Sequence, residues 1–248
     1  MSDGVILLGS VSEINHENWQ GYAGCYDCFT SLQIYKDFWK STLRGLLPKP
    51  GGIVVDLGCG QGGGFEEIIK RVQPGLIIGV DYSSEMLKMA EQEAYRLMKK
   101  HSGVTISTVN RDICKKSLRD FGKVDAVIAH LVSYYLSAER WQNFILPEIF
   151  GILNTDGYLL STDATSEFDF RRDISGWQFF VELALHPMAM KKLKEQGKPW
   201  LVKIQSTVGH RYPTYEDRLE MLKSVNARDI QTISWVLNKK FVTLRAHK

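Results

Sequence analysis

The chain has 248 residues, 44% of them hydrophobic and 24% charged, with a formal net charge of +3. That length supports a sizeable core in a single α/β domain over 1–248. The basic residues form no block larger than Lys191-Lys192-Leu193-Lys194, so no nucleic-acid partner is expected. No apolar run approaches a membrane span and the first residues lack a cationic leader, which predicts a cytoplasmic setting without a membrane partner.

Residues 1–32 are irregular and aromatic, with Trp19, Tyr22, Tyr26 and Phe29. Cys25-Tyr26-Asp27-Cys28 is a lone CxxC with no second pair and no histidines at ligand spacing. With Cys59 and Cys114 it predicts neither a disulfide framework nor a metal site. A helix follows, carrying Tyr35, Trp39, Leu43 and Leu46 on one stripe, and Pro48-Lys49-Pro50-Gly51-Gly52 closes it. Strands and helices then alternate. Ile53–Leu57 reads as a strand, Phe65–Val72 as a helix, and Leu76–Val80 as a strand. A helix capped by Ser83 or Ser84 carries Leu87, Ala90, Ala94 and Leu97. Val104–Val109 and Val124–Ala129 are further strands; 138–153 reads as helical, broken or restarted at Pro147. Tyr158–Thr162 is a strand after the turn Asn154-Thr155-Asp156-Gly157.

The near-continuous apolar strands predict a parallel, doubly wound sheet with helices on both faces, which binds ligands at the carboxyl ends of its strands. Residues 166–212 break the rhythm with mixed aromatic and charged residues. A helix over Pro213–Val225 and two strands, Ile230–Leu237 and Lys240–Ala246, joined tightly at Asn238-Lys239, complete the chain.

The densest chemical signal is Val55-Asp56-Leu57-Gly58-Cys59-Gly60-Gln61-Gly62-Gly63-Gly64, a buried strand that runs into a glycine turn and a helix start. Glycines there let the backbone approach a ligand closely. Asp56 suits a ligand with hydroxyls or positive charge rather than phosphates. Gly58-Cys59-Gly60-Gln61-Gly62-Gly63 also satisfies G-x-G-x-x-G, and Asp81 stands at about the distance of a ribose-binding acid. A Rossmann-type NAD(P)-dependent oxidoreductase is therefore an alternative. Asp56 ahead of the turn, the closing hairpin and the lack of a second catalytic domain weigh against it.

Val55-Asp56-Leu57-Gly58-Cys59-Gly60-Gln61-Gly62 resembles the first motif of the class I S-adenosylmethionine-dependent methyltransferases. Gly79-Val80-Asp81-Tyr82-Ser83-Ser84-Glu85-Met86-Leu87 resembles their second strand and acidic loop. Asn110-Arg111-Asp112-Ile113 resembles their adenine-binding loop, and Leu153-Asn154-Thr155-Asp156-Gly157-Tyr158-Leu159 their approach to the fifth strand. The resemblance spans about 33–165 and returns over 213–246. It implies a Rossmann-like seven-stranded sheet whose last strand is antiparallel, with a helical insertion between strands five and six. It implies a methyltransferase of the small-molecule type with S-adenosyl-L-methionine as cofactor, transferring a methyl group to N, O or C of a small-molecule acceptor. A non-catalytic cofactor-binding scaffold subunit is a further alternative.

The resemblance also implies roles. Gly58 and Gly60 pass beside the cofactor, and Asp56 supports the turn near the methionyl portion. Asp81 accepts from the ribose hydroxyls and Tyr82 covers the adenine. Asp112 accepts from the adenine amine while the Ile113 N–H donates to the ring. Ala129 and His130 meet the methionyl end. Tyr22 and Tyr26, in an N-terminal lid over 1–32, are candidates to fold over the cofactor. An acceptor-cover insertion over 166–212 offers Trp177, His186, His210 and Tyr212 as acceptor contacts, with Tyr134 after the fourth strand. Methyl transfer needs a base only when the acceptor starts protonated. No catalytic residue stands out; His130, Tyr134 and His210 are the candidates.

Overall fold

Runs of β-branched and aliphatic residues with no polar side to turn outward are stable only in the middle of a sheet covered on both faces. β1 (Ile53–Leu57) is such a run, with Val54, Val55 and Leu57 fully buried. The computed structural model describes residues 33–133, 136–168, 191 and 212–248. In it β1 pairs in parallel with β2 (Leu76–Asp81) and with β4 (Val124–His130). Outside these, β3 (Thr105–Asn110) joins β2 and β5 (Leu153–Ala164) joins β4, both parallel. The last two strands, β6 (Arg228–Val236) and β7 (Phe241–His247), form a hairpin, and β7 inserts antiparallel beside β5. The seven-stranded order is β3-β2-β1-β4-β5-β7-β6. This is the Rossmann-like seven-stranded arrangement that the resemblance implies, with its last strand antiparallel. Asn238 and Lys239 are the two central residues of that hairpin's turn, both at positive φ (50° and 70°), and Lys240 N–H donates to Leu237 O. That is the turn geometry matched to strand twist.

Alternation along the strands sends side chains to two cores. On one face Val54, Ile77, Ile128 and Leu160 meet α2 (Phe65–Val72) and α3 (Ser84–Lys100). The predicted stripe Phe65, Ile68, Ile69 and Val72 is buried, each side chain contributing about 1.5–3 kcal/mol. Ser83 caps α3 by accepting from Met86 N–H at 3.2 Å. α1 (Gln33–Leu43) covers the β5–β7–β6 end of this face, where Phe38 packs on Phe241. On the other face Val55, Leu57, Val127, Ala129 and Leu159 meet Trp141 and Ile145, α5 (Leu146–Ile152), which follows the short α4 (Ala138–Arg140), and α6 (Tyr215–Ser224).

Two elements differ from the sequence expectation. The break expected at Pro147 falls earlier, as a π-helical turn over Trp141–Ile145. Pro147 has no N–H to continue the ladder, so the chain widens there, with Leu146 N–H bonding Trp141 O, and restarts with Pro147 in the first turn of α5. The fifth strand begins five residues early: Val124 pairs with Leu153 and Ala126 with Tyr158, so Asn154–Gly157 form an outward excursion within the strand. Of the segment 166–212 only 166–168, 191 and 212 are described, so its expected helical character lies outside the described residues. No described helix is long and apolar enough to cross a membrane.

Candidate functional site

The carboxyl ends of β1, β2 and β4 converge on the glycine turn. Gly58 and Cys59 N–H donate to Val80 O (2.7 and 3.0 Å), folding the chain back across β2. Gly62 holds φ +79°, and a Cβ there would lie 2.6 Å from the Phe65 ring, so this position excludes a side chain on both backbone and packing grounds. A Cβ on Gly64 would lie 2.4 Å from Trp39, so α1 presses directly on the start of α2. Val132, Phe65 and Trp39 thus pack against the glycines of the turn where a side chain would otherwise stand.

Two acids frame it. Asp81, half-buried at the tip of β2, accepts from Gly60 N–H at 2.9 Å through Oδ2 and from Ser83 N–H at 2.8 Å through Oδ1. Burial pushes its carboxyl above the ordinary range, while the Ser83, Gly60 and Tyr82 N–H groups hold it back. Asp56, at the end of β1, is 2% exposed and its Oδ2 has no partner. Desolvation, with the Asp81 charge adding to it, pushes the Asp56 carboxyl up to about 8. The same surroundings push the buried Cys59 thiol up, leaving an inert neutral group.

Further along the rim, Asn110 Nδ2 donates to Tyr82 O at 2.7 Å and pins the acidic loop to the end of β3. Asp112 Oδ1 accepts from Cys114 N–H at 2.9 Å, which shapes the turn holding Ile113. At the tip of β4, His130 is buried. Its Nδ1 lies 2.8 Å from Thr42 Oγ1, its ring stacks on Trp39 (4.1 Å, 24°), and Nε2 has no partner. Burial holds the imidazole down to about 3, so it is neutral at physiological pH. Leu131, the next residue, takes φ +57°, a strained conformation for a branched side chain, and is held there by its N–H bond to Thr162 O (2.8 Å). Two residues on, Ser133 Oγ accepts from Arg218 Nη1 at 3.0 Å. Arg218 is itself buried, pairs with Asp163 at 3.7 Å, and donates to Ala164 O.

The predicted residues Asp56, Gly58, Gly60, Asp81, Tyr82, Asp112, Ile113, Ala129 and His130 all lie on this carboxyl edge. Tyr212 stands apart from the glycine turn, buried against Phe168 (ring centroids 5.9 Å) in the cluster of Phe38, Ala164 and Phe241. Tyr22, Tyr26, Tyr134, Trp177, His186 and His210 lie outside the described residues, as do Cys25 and Cys28. Among the described residues no group of three His, Cys, Asp or Glu could hold a metal ion. Sequence reasoning missed Thr42, Asn110 and Arg218 as site-shaping groups. Thr42 and Arg218 are polar positions on helices judged by their apolar stripes, and only the tertiary fold brings them to the strand tips.

Comparison with known proteins follows this geometry. Ribosomal RNA small subunit methyltransferase H of Dictyoglomus turgidum is 27% identical over 164 residues, which covers 63% of this chain and 54% of that protein. Nocamycin O-methyltransferase of Saccharothrix syringae is 32% identical over 73 residues, 29% of this chain and 26% of that protein. The chain thus spans about half or less of the length of these curated relatives. Its fold is similar to that of magnesium protoporphyrin IX methyltransferase from Synechocystis PCC 6803, solved with bound SAH. The TM-score is 0.55 at 16% identity, over 94% of this chain and 99% of that one. A family model described as a methyltransferase domain matches residues 48–217, from the approach to β1 into α6, and the chain belongs to that methyltransferase family.

Proposed function

We propose that the chain is an S-adenosyl-L-methionine-dependent methyltransferase that acts on N, O or C of a small-molecule acceptor. The observation that carries this reading is the pairing of a glycine-rich turn with two rim carboxyls, one of them, Asp56, buried with an unpartnered oxygen. Such an arrangement suits a ligand with a diol and a cationic tail. In this reading Asp81 takes the ribose hydroxyls and Asp56 and the Ala129–His130 segment face the methionyl end. Tyr82, Asp112 and the Ile113 N–H enclose the adenine. The bound cofactor supplies a methyl group on a positively charged sulfur. The protein's share is orientation, a contribution of about 7–11 kcal/mol when the reacting atoms are held in line.

Residues 1–32 with Tyr22 and Tyr26, and residues 166–212 with Trp177, His186, His210 and Tyr212, supply the lid and acceptor cover in this reading, with Tyr134 beside them. Their aromatic content is the support for it. Where the acceptor needs a general base, His130, Tyr134 and His210 are the candidates; burial makes the neutral His130 a weak base. The antiparallel β7 argues against the NAD(P)-dependent oxidoreductase, and retention of the rim acids against a scaffold subunit.

Calorimetry with S-adenosylmethionine and with NAD tests the cofactor: binding of the first and not the second is expected, and the reverse ends the reading. Incubation of cell extract with methyl-labelled cofactor, followed by separate counting of small-molecule and RNA fractions, tests the acceptor. Label confined to RNA would favour the chemistry of the ribosomal RNA relative instead.

A further inference from the structure

Behind His130 runs an unbroken line of buried hydroxyls. Ser234 Oγ of β6 lies 2.5 Å from Ser41 Oγ of α1, which lies 2.6 Å from Thr243 Oγ1 of β7. Thr243 Oγ1 is 2.8 Å from Thr162 Oγ1 of β5, and Thr162 Oγ1 is 2.6 Å from Thr42 Oγ1 of α1. Thr42 Oγ1 then meets His130 Nδ1 at 2.8 Å. All six residues are buried, and Thr42, Thr162 and Thr243 are 0% exposed. Chains of this kind polarise one another in a low dielectric and are costly wherever a member is left unpaired.

Counting protons decides their direction, since each hydroxyl has one to give. Started at His130 Nδ1–H, each hydroxyl accepts from one neighbour and donates to the next, and Ser234 gives the last proton to Ser41 O (3.3 Å). Only the 3.2 Å contact of Thr42 with Phe38 O is left without a proton, and that carbonyl already lies in a helical ladder. Started at Ser234, the chain ends with Thr42 donating to Nδ1. Both carbonyls then lose their hydroxyl donors, and Nε2 becomes a buried N–H with nothing to receive it, which is the costlier defect.

We infer that the hydroxyl chain holds His130 in the neutral Nδ1–H tautomer, so that its bare Nε2 accepts a hydrogen bond from a protic group of the bound ligand. The depressed basicity of the buried ring agrees with this neutral state. Placement agrees as well. His130 and Asp56 lie on the same sheet face at the carboxyl ends of neighbouring strands, where Asp56 registers with Ile128. At ordinary strand spacing their Cα atoms are roughly 8 Å apart, and each carries a buried acceptor without a partner. Trp39, stacked on the ring and pressed on Gly64, locks its plane to the glycine turn. The ligand identity rests on the methyltransferase reading. Within it the donor is an N–H of the cofactor's α-ammonium or the O–H or N–H of the acceptor.

Two-bond proton–nitrogen NMR spectra of the 15N-labelled full chain at neutral pH read the tautomer directly, with His130→Gln for assignment. A protonated Nδ1 and a bare Nε2 are expected in the free protein, and Thr42→Val should populate the other tautomer while Thr42→Ser restores the first. A wild-type Nε2–H or imidazolium, or a tautomer indifferent to Thr42→Val, overturns the inference. S-adenosylhomocysteine, which keeps the ammonium, then separates the two donors. If His130→Ala weakens its binding about tenfold or more and the wild-type Nε2 resonance moves on titration, the donor is the cofactor. If its binding is unchanged but labelled methyl transfer into extract falls about tenfold or more, the donor is the acceptor. If His130→Ala changes neither, the inference is wrong. Failure of S-adenosylmethionine to bind the wild type would sink the methyltransferase reading while leaving the tautomer result standing.

Discussion

Asp56→Asn isolates the cost of burying an acid at the sheet rim. The substitution keeps the shape of the side chain and removes only its capacity to ionise. In the free protein the carboxyl titrates at about 8 instead of 3.8, because it is desolvated and faces Asp81. The sign follows from proton uptake. Between pH 4 and 8 the folded chain holds a proton that the unfolded chain has released, so stability falls as pH rises across that window. A shift of about four units, at ~1.4 kcal/mol each, sets an upper bound of roughly 6 kcal/mol. Relaxation and water entry around a rim carboxylate bring the expected loss to about 2–4 kcal/mol. Denaturant titrations of cofactor-free protein from pH 5 to 9 should show the wild type losing that much. Asp56→Asn should match the wild type near pH 5, hold its stability, and melt ~5–10 °C above it near pH 8.5. The same variant should bind S-adenosylmethionine roughly 10- to 100-fold more weakly, having lost a charged acceptor. Parallel stability curves for the two proteins would refute the claim that Asp56 is buried uncompensated.

Asp81→Ala removes the acceptor for Gly60 and Ser83 N–H and, in the proposed function, for the ribose diol. Calorimetry should show cofactor binding weakened by about 1.5–3 kcal/mol. Gly62→Ala must strain a backbone at φ +79° and displace Phe65, and should lower stability by ~1–3 kcal/mol. Gly63→Ala, with nothing within 4 Å of its added carbon, should change it by less than ~0.5 kcal/mol; equal losses by thermal melting would contradict the geometry of the turn. Arg218→Met strands Asp163 as a buried acid and should cost about 3–5 kcal/mol. Arg218→Met with Asp163→Asn should recover most of it, and strict additivity of the two would show that the pair does not interact. Finally, S-adenosylhomocysteine should slow hydrogen exchange in 15–30 and 166–212 as well as around Gly58–Gly64 and Asp81; protection confined to the latter two would remove the lid and cover from the proposed function.

The central sheet was legible because its strands are buried on both faces and therefore read as continuous apolar runs. β1 and β4 lie within one residue of expectation. The hairpin was legible from its polar turn, and the antiparallel last strand from the family resemblance. Boundaries slipped where local signals compete with tertiary pairing. Leu153 extends β5 because it pairs with Val124 across the sheet, something no reading of Asn154-Thr155-Asp156-Gly157 contains. The rim acids were legible because a carboxylate ending an apolar strand is conspicuous. The protonation states at that rim were not, since they depend on what desolvates Asp56 and on which ring nitrogen of His130 meets Thr42, 88 residues away. Thr162 and Thr243 read as ordinary strand residues until α1 is laid across them.

Among the described residues some buried polar atoms without a partner, such as His101 Nε2 and Arg245 Nε, lie away from the glycine turn, but three stand at one edge of the sheet. Asp56 Oδ2, His130 Nε2 and Asp163 Oδ1 sit at the carboxyl ends of β1, β4 and β5, three adjacent strands. Leu131, in a strained left-handed conformation, follows the second of them. Each is a local expense in stability that an apolar residue of similar size would avoid. Two of the three, Asp56 Oδ2 and His130 Nε2, stand on the same sheet face beside the glycine turn, where a bound ligand would meet them. A ligand that satisfies these acceptors stabilises the fold by RT ln(1 + L/Kd) at free ligand concentration L, because the unfolded chain offers no such site. Cofactor at a hundred times its dissociation constant should therefore add ~2.7 kcal/mol to wild-type stability. Asp56→Asn, which cannot ionise to meet the cofactor's cation, should gain less at the same concentration. A variant stabilised as strongly as the wild type would show that the cofactor does not use Asp56, and that this orphaned oxygen belongs to something other than the methyl-transfer site.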